Sequence, residues 1–279
     1  MGLGFIQRQT SPSVYLDHWA LLDFSADRRL GGRLVAAIKR TEGSLALSWA
    51  NISEFMGVGD DRQRLAGEDL VEALLPNIFF VEAVPTTVMV RENVAAAGDP
   101  PTAHLDPEVL RVFTSLPGPR VRPFTAQGLF PAVADHVSLT GLQTTISNGI
   151  DMIRHRAATD PKFRANLKRP LSRLDGVTRA TRYLAGELIT GLALGGKDVV
   201  PNDAMDVHHA IVPSAYCDLV LLDKHWKSQV QSCARRLKAA GIKVPIAKVF
   251  SKGKGGLEKF FAELEKWPSP SLRREGSPS

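Results

Sequence analysis

Four carboxylates stand where a fold can gather them: Asp17, Glu54, Asp206 and Asp223. Asp17 follows the apolar run Val14-Tyr15-Leu16, and Asp223 follows Leu219-Val220-Leu221-Leu222, so each stands where a short strand should stop. In an open α/β sheet, residues just past the carboxyl ends of strands line the ligand crevice. Asp206 belongs to the stretch NDAMDVHHAIVPSAYCDLVLLDKHW, Asn202 to Trp226. That stretch opens as a helix, because Val207, Ala210 and Ile211 recur at helical spacing behind Pro201-Asn202. Asp203 and Asp206, three apart, share a helix face near the N-terminus, where the helix dipole favours acids; capping is the ordinary reading of this pair. Acids converging in one cleft repel one another and need a cation to stay ionised. A hard divalent ion takes such oxygen ligands, and Mg²⁺ keeps waters for chemistry. The reaction this suits is phosphodiester hydrolysis.

The elements that would position these acids follow from the patterning. A strand ending near Asp17 leads to a helix capped by Ser25 or Asp27, with Leu30, Leu34, Val35 and Ile38 as its buried stripe and Gly43 as its end. Leu45 to Trp49 is a second strand candidate, and Asn51 or Ser53 opens a helical turn carrying Glu54 and Phe55. Asp61 to Leu75 reads as a helix buried through Leu65, Leu70, Val71, Leu74 and Leu75. In Ile78 to Val90, Pro85 argues against a single central strand and for a loop along the core. Pro213 should end the helix bearing Asp206. An amphipathic helix from Lys227, a strand over Val244 to Phe250 and a helix over Leu257 to Leu264 complete a strand–helix alternation. That alternation implies an α/β fold, a mainly parallel sheet with helices on both faces.

The middle of the chain differs. Pro100-Pro101, Pro117, Pro119 and Pro123 predict loops around a short helix near 106–115, and 136–194 reads as two or three helices. Between these helical stripes lies a basic cluster from Arg154 to Arg182, including Arg164, Lys168 and Arg169. It reads either as a solvated helix face or as a phosphate-tracking surface, to which the planar fork of arginine is suited.

The 279 residues accommodate one large domain, or one with a sizeable insertion. The net charge of +6 is a moderate electrostatic bias toward polyanions. No apolar run approaches the length of a membrane span, Met1 to Ser13 lacks signal-peptide order, and Cys217 and Cys233 have no metal-ligand spacing. A cytoplasmic setting without membrane association is expected.

The acids also carry a resemblance. VYLDHWALL resembles the opening strand of the PIN-like nucleases, ISEF their Glu-bearing turn, and D-x-x-D-x-x-H-A…P-x-x-Y-C-D-L-V-L-L-D-K, Asp203 to Lys224, the later acids of bacterial PIN-like domains. The third block is the specific one. The resemblance covers about 14–60 and 198–262. Two positions depart from the pattern: His18-Trp19 replaces a small polar pair, and Leu222 stands near where the family often has a hydroxyl residue or Arg.

The resemblance implies a three-layer α/β/α sandwich with a core of about 14–95 and 198–262; it does not account for 98–197, which reads as a mainly helical insertion, and the Pro/Ser-rich composition near the end predicts a disordered tail over 266–279. It implies metal-dependent cleavage of RNA, with Mg²⁺ or Mn²⁺ held by Asp17, Glu54, Asp206 and Asp223. Asp203 competes with Asp206, and Asp218 is an outer partner. Lys224 could reach the scissile phosphate; a solvated cap of the next helix is its ordinary reading. His208 and His209 read first as packing residues. The expected partners are RNA, an antitoxin protein if the chain is of toxin type, and a second copy in a homodimer. A non-catalytic RNA- or protein-binding module and a small-substrate phosphate-ester hydrolase are the alternatives.

Overall fold

The computed structural model describes residues 8–57, 60–94, 102–115, 125–136, 139–169, 171–195 and 200–269. Among them, five strands form one all-parallel sheet: β1 (Ser13–Leu16), β2 (Ser44–Leu47), β3 (Ile78–Phe80), β4 (Leu219–Leu221) and β5 (Lys248–Phe250), in the order β3-β2-β1-β4-β5. The connecting helices are α1 (His18–Ala26), α2 (Arg28–Thr41), α3 (Trp49–Met56), α4 (Asp61–Leu74), α5 (Pro85–Val94), α6 (Pro107–Ser115) and α7 (Ala126–His136). They continue as α8 (Leu139–Thr159), α9 (Pro161–Leu167), α10 (Thr181–Leu194), α11 (Pro201–Tyr216), α12 (Lys224–Ala239) and α13 (Gly256–Glu265).

The strands are short, and β1 to β4 are buried throughout, so alternate residues feed two separate cores. Val14 and Leu16 of β1 join one cluster with Phe24 of α1, Phe55 of α3 and Phe260 of α13. Tyr15, between them, joins the other, with Leu184 of α10, Ile211 of α11 and Trp226 of α12. The result is a three-layer α/β/α sandwich, as expected.

Several local expectations need correction. The apolar residues after Asp17 form a helix of their own, α1, whereas Asp27, one of the two expected caps, does cap α2 through the Arg29 and Leu30 N–H groups. Ser48, not Asn51 or Ser53, caps α3. Leu65 is 48% exposed and leaves the burial of α4 to Leu70, Val71 and Leu74. Ile78 to Val90 is not a loop: it divides into β3 and α5, with Pro85 at the first helical position, where its missing N–H has no helical partner to lose. Pro213 does not end its helix. α11 runs on to Tyr216, because burial of Val212, Ala215 and Tyr216 holds the last turn despite the hydrogen bond that Pro213 cannot make.

The stretch 98–197 is mainly helical where described, with 102–106 and 171–180 outside helices, and it does not bury a core apart from the sheet. Val109 of α6 and Phe130 of α7 enter the cluster of Val14 and Leu16, while Leu184 and Leu188 of α10 enter that of Tyr15. Pro100, Pro101, Pro117, Pro119, Pro123 and the tail beyond Ser269 lie outside the described residues.

Candidate active site

The strand order reverses between β1 and β4, and at such a switch point the crevice opens past the carboxyl ends of the two strands. Leu16 pairs with Leu221, and the Asp17 N–H donates to the Leu221 carbonyl at 3.0 Å, so Asp17 and Asp223 leave the sheet as neighbours. Each also caps the helix it precedes. Asp17 Oδ1 accepts the His18 N–H at 2.8 Å, and Asp223 Oδ1 accepts the Trp226 N–H at 2.7 Å.

Glu54 is brought to the same place by α3. Ser48 and Asn51 form a capping box, and the Asn51 side-chain amide donates to the Leu16 carbonyl at 3.3 Å, which ties the first turn of α3 to the end of β1. Glu54 lies three residues on, along the same helix face. Two further contacts fix α3. The buried Asp106 carboxylate accepts the Trp49 N–H at 3.1 Å and the Glu108 N–H at 2.9 Å, linking the starts of α3 and α6. Gly67 of α4 packs so closely on the Phe55 ring that a Cβ there would lie 1.9 Å from it.

Asp206 projects from α11, and the electrostatics join it to the others. Burial first, then the charge of Asp17, pushes Asp206 up to about 7; His209 and the Trp226 side chain oppose the shift, and Asp223 adds to it. Burial also pushes Asp17 up to about 6, opposed by His209 and the His18 N–H and reinforced by Glu54 and Asp223. Asp17 therefore lies within electrostatic reach of Glu54, Asp206 and Asp223, and Asp206 within reach of Asp223.

His209 joins these acids. One helical turn after Asp206, its Nε2 meets Glu54 Oε2 at 2.8 Å, and its Nδ1 is hydrogen-bonded to the Tyr15 hydroxyl. Burial alone would lower its pKa, but the Glu54 charge and hydrogen bond, with Asp17 and Asp206, outweigh that and raise it to about 9. Against its own burial, Glu54 is held below the ordinary carboxylate value by His209 and, more weakly, by His18. His208, buried beside them, is pushed down to about 3, first by burial and then by the charge on His209. His209 does pack and hydrogen-bond as first read, yet its partner is a site acid. The sequence signal was its i+3 spacing from Asp206.

The other candidates have other surroundings. Asp203 accepts the Val200 N–H at 3.2 Å, the capping role. Asp218 is not an outer partner of the acids: it accepts from the N–H and hydroxyl of Ser13 at 2.8 and 2.9 Å, at the amino ends of β1 and β4, away from the carboxyl ends that the acids follow. Lys224 is exposed at the first position of α12, directly after Asp223. Arg164 and Lys168 are exposed on and just after α9. The Arg169 carbonyl accepts from Arg236, which at 1.5 Å per residue lies about 20 Å along α12 from Asp223.

Among the described residues, no group of three or more His, Cys, Asp or Glu side chains is arranged to hold a metal ion. Asp17 and Asp223 each turn one oxygen toward a helix N–H, and Glu54 turns one toward His209. The chemistry of the donor set still fits a hard divalent cation. It consists of carboxylate oxygens, and burial with neighbouring acids raises two of the carboxyls, Asp17 to about 6 and Asp206 to about 7. No protein-family model, no curated protein and no solved structure matches the chain. No described helix is long and apolar enough to cross a membrane.

Proposed function

We propose that the chain is a metal-dependent endoribonuclease of PIN-like type, hydrolysing RNA phosphodiester bonds at the acidic cluster. One observation carries the reading: Asp17, at the β1/β4 switch point, lies within electrostatic reach of Glu54, Asp206 and Asp223. The choice of RNA rests on the resemblance of the sequence blocks around these acids. Mg²⁺ or Mn²⁺ bound there would activate water and stabilise the leaving oxygen. Asp17, Asp206 and Asp223 would hold it through the oxygens not engaged in capping. Glu54 supplies a carboxylate that stays ionised, and Lys224 supplies a cation at the rim for phosphate. The setting that follows is cytoplasmic, with RNA as the partner. An antitoxin or a second copy would be a further partner.

Cleavage of RNA and DNA panels with and without Mn²⁺, with Asp17→Asn as control, tests the reading. Metal-dependent RNA cleavage lost in Asp17→Asn supports it. Hydrolysis of small phosphate esters alone would replace it with a phosphatase. RNA binding without any hydrolysis would replace it with a binding module.

A further inference from the structure

We propose that Tyr15 and His209 form a buried positioning pair that holds Glu54 as the acceptor for the attacking water, leaving Asp17, Asp206 and Asp223 as the cation ligands. The proposal rests on the nuclease reading for its chemistry, but its geometry stands apart from it.

Three elements contribute to this chain of contacts. Tyr15 comes from β1, the central strand, and is fully buried; His209 comes from α11 and is 1% exposed; Glu54 comes from α3. Each ring nitrogen of His209 has one partner, Tyr15 on one side and Glu54 on the other. An imidazole bonded at both nitrogens cannot turn without breaking a buried hydrogen bond, and a buried unpaired polar group is costly. The ring therefore fixes the direction of Glu54 Oε2. That oxygen is aimed at His209 and held there. The other oxygen, Oε1, belongs to a side chain 17% exposed and remains to accept from water. Tyr15 takes part because β-strand alternation turns it away from Val14 and Leu16, toward the α11 layer.

In the reaction, the oxygen of a water oriented by Oε1 bonds to phosphorus. The P–O bond to the leaving oxygen breaks with its electron pair. The water's proton passes through Oε1 to solvent, and solvent protonates the leaving oxygen. Glu54 touches the reacting water; Tyr15 and His209 act only through Glu54.

The test uses His209→Gln, Tyr15→Phe and Glu54→Gln in the full chain with three readouts. These are turnover on RNA, Mn²⁺ affinity from thermal shift, and the titration of the Glu54 side-chain carbon by ¹³C NMR, assigned by its loss in Glu54→Gln. In His209→Gln the Glu54 midpoint should rise by about one unit or more, since its main stabilising partner is gone. Turnover should fall by about 10- to 100-fold, as for other supports of a site residue, with Mn²⁺ affinity nearly unchanged. Combining His209→Gln with Glu54→Gln should cost little beyond Glu54→Gln alone. Tyr15→Phe, which removes one oxygen, should move all readouts the same way by less; it carries the test if His209→Gln fails to fold. An unmoved Glu54 midpoint, or Mn²⁺ affinity lost as in Asp17→Asn, overturns the pair whatever the enzyme cleaves. A wild type that cleaves nothing overturns the nuclease reading, and with it the water-orienting part of Glu54, even where the NMR shift appears.

Discussion

Asp17 and Asp223 play the same structural part on neighbouring strands. Each follows its strand and caps the helix that leaves it, with acceptor distances of 2.8 and 2.7 Å. Capping occupies one oxygen of each carboxylate and leaves the second. The ordinary reading of such residues and the site reading are therefore not exclusive: the cap fixes the side chain that the cluster uses.

Asp17→Asn should fold, because Asn is an equally good cap and nearly the same size. It also removes a charge that burial disfavours. Apoprotein stability at about pH 8 should rise by up to about 3 kcal/mol, given about 1.4 kcal/mol per pKa unit and the rise of Asp17 from 3.8 to about 6. The stabilisation that Mn²⁺ gives the wild type should shrink, and cleavage should fall by about 100-fold or more. Melting curves with and without Mn²⁺, beside an RNA cleavage assay, check this. Equal cleavage by both proteins would reduce Asp17 to a helix cap.

The pH dependence of the apoprotein has a definite sign. Asp17 and Asp206 are raised, to about 6 and about 7, so their contribution to stability is fully present below the unfolded value of 3.8 and is lost as pH rises through the folded values. His209, raised from 6.5 to about 9, adds a loss of the same sign at higher pH. The melting temperature should therefore fall between about pH 5 and pH 9. Saturating Mn²⁺ should flatten the lower part of that fall, because the cation binds the deprotonated carboxylates. Some fall should persist even then, since Asp106, also raised to about 7, lies buried at the start of α3, bonded to backbone N–H groups. A melting temperature that climbs from pH 5 to 8 without metal would contradict the cluster.

Asp203 and Asp206 should separate cleanly. Asp203→Ala loses the bond to the Val200 N–H and should cost about 0.5–1 kcal/mol of stability, with cleavage retained. Asp206→Asn should keep the fold and lose cleavage. Thermal melting and turnover of the two variants decide the matter; the reverse pattern would exchange their roles.

The basic segment should contribute at a distance. Replacing Arg164, Lys168 and Arg169 with Ala should reduce the salt dependence of binding long RNA by about 0.7 per lost contact, the single-strand value. Hydrolysis of a dinucleotide should be unaffected, because Arg236, whose guanidinium bonds the Arg169 carbonyl, lies about 20 Å along α12 from Asp223. Binding at several salt concentrations measures the slope. A slope unchanged for long RNA would make the segment a solvated face.

Much of this was legible in the sequence because it is local. Short apolar runs ending in Asp17 and Asp223 marked β1 and β4, and the alternation of strands and helices indicated a parallel sheet covered on both faces. Local signals misled where tertiary burial outweighed them. Pro213 stays inside α11 because the turn beyond it is buried, and Pro85 starts a helix because the first helical position tolerates it. The choice of Asp206 over Asp203 was not local either: both face the same way on one helix, and only the placement of α11 beside β1 puts one of them among the other acids. The role of His209 lay furthest from the sequence. Its partners, Tyr15 and Glu54, are 194 and 155 residues away, and no spacing rule spans such separations. Sequence determined which residues could do chemistry and the strands and helices that hold them. The packing of α3 and α11 against the carboxyl end of β1 decided which of them meet, because contacts between distant segments depend on how buried faces fit together.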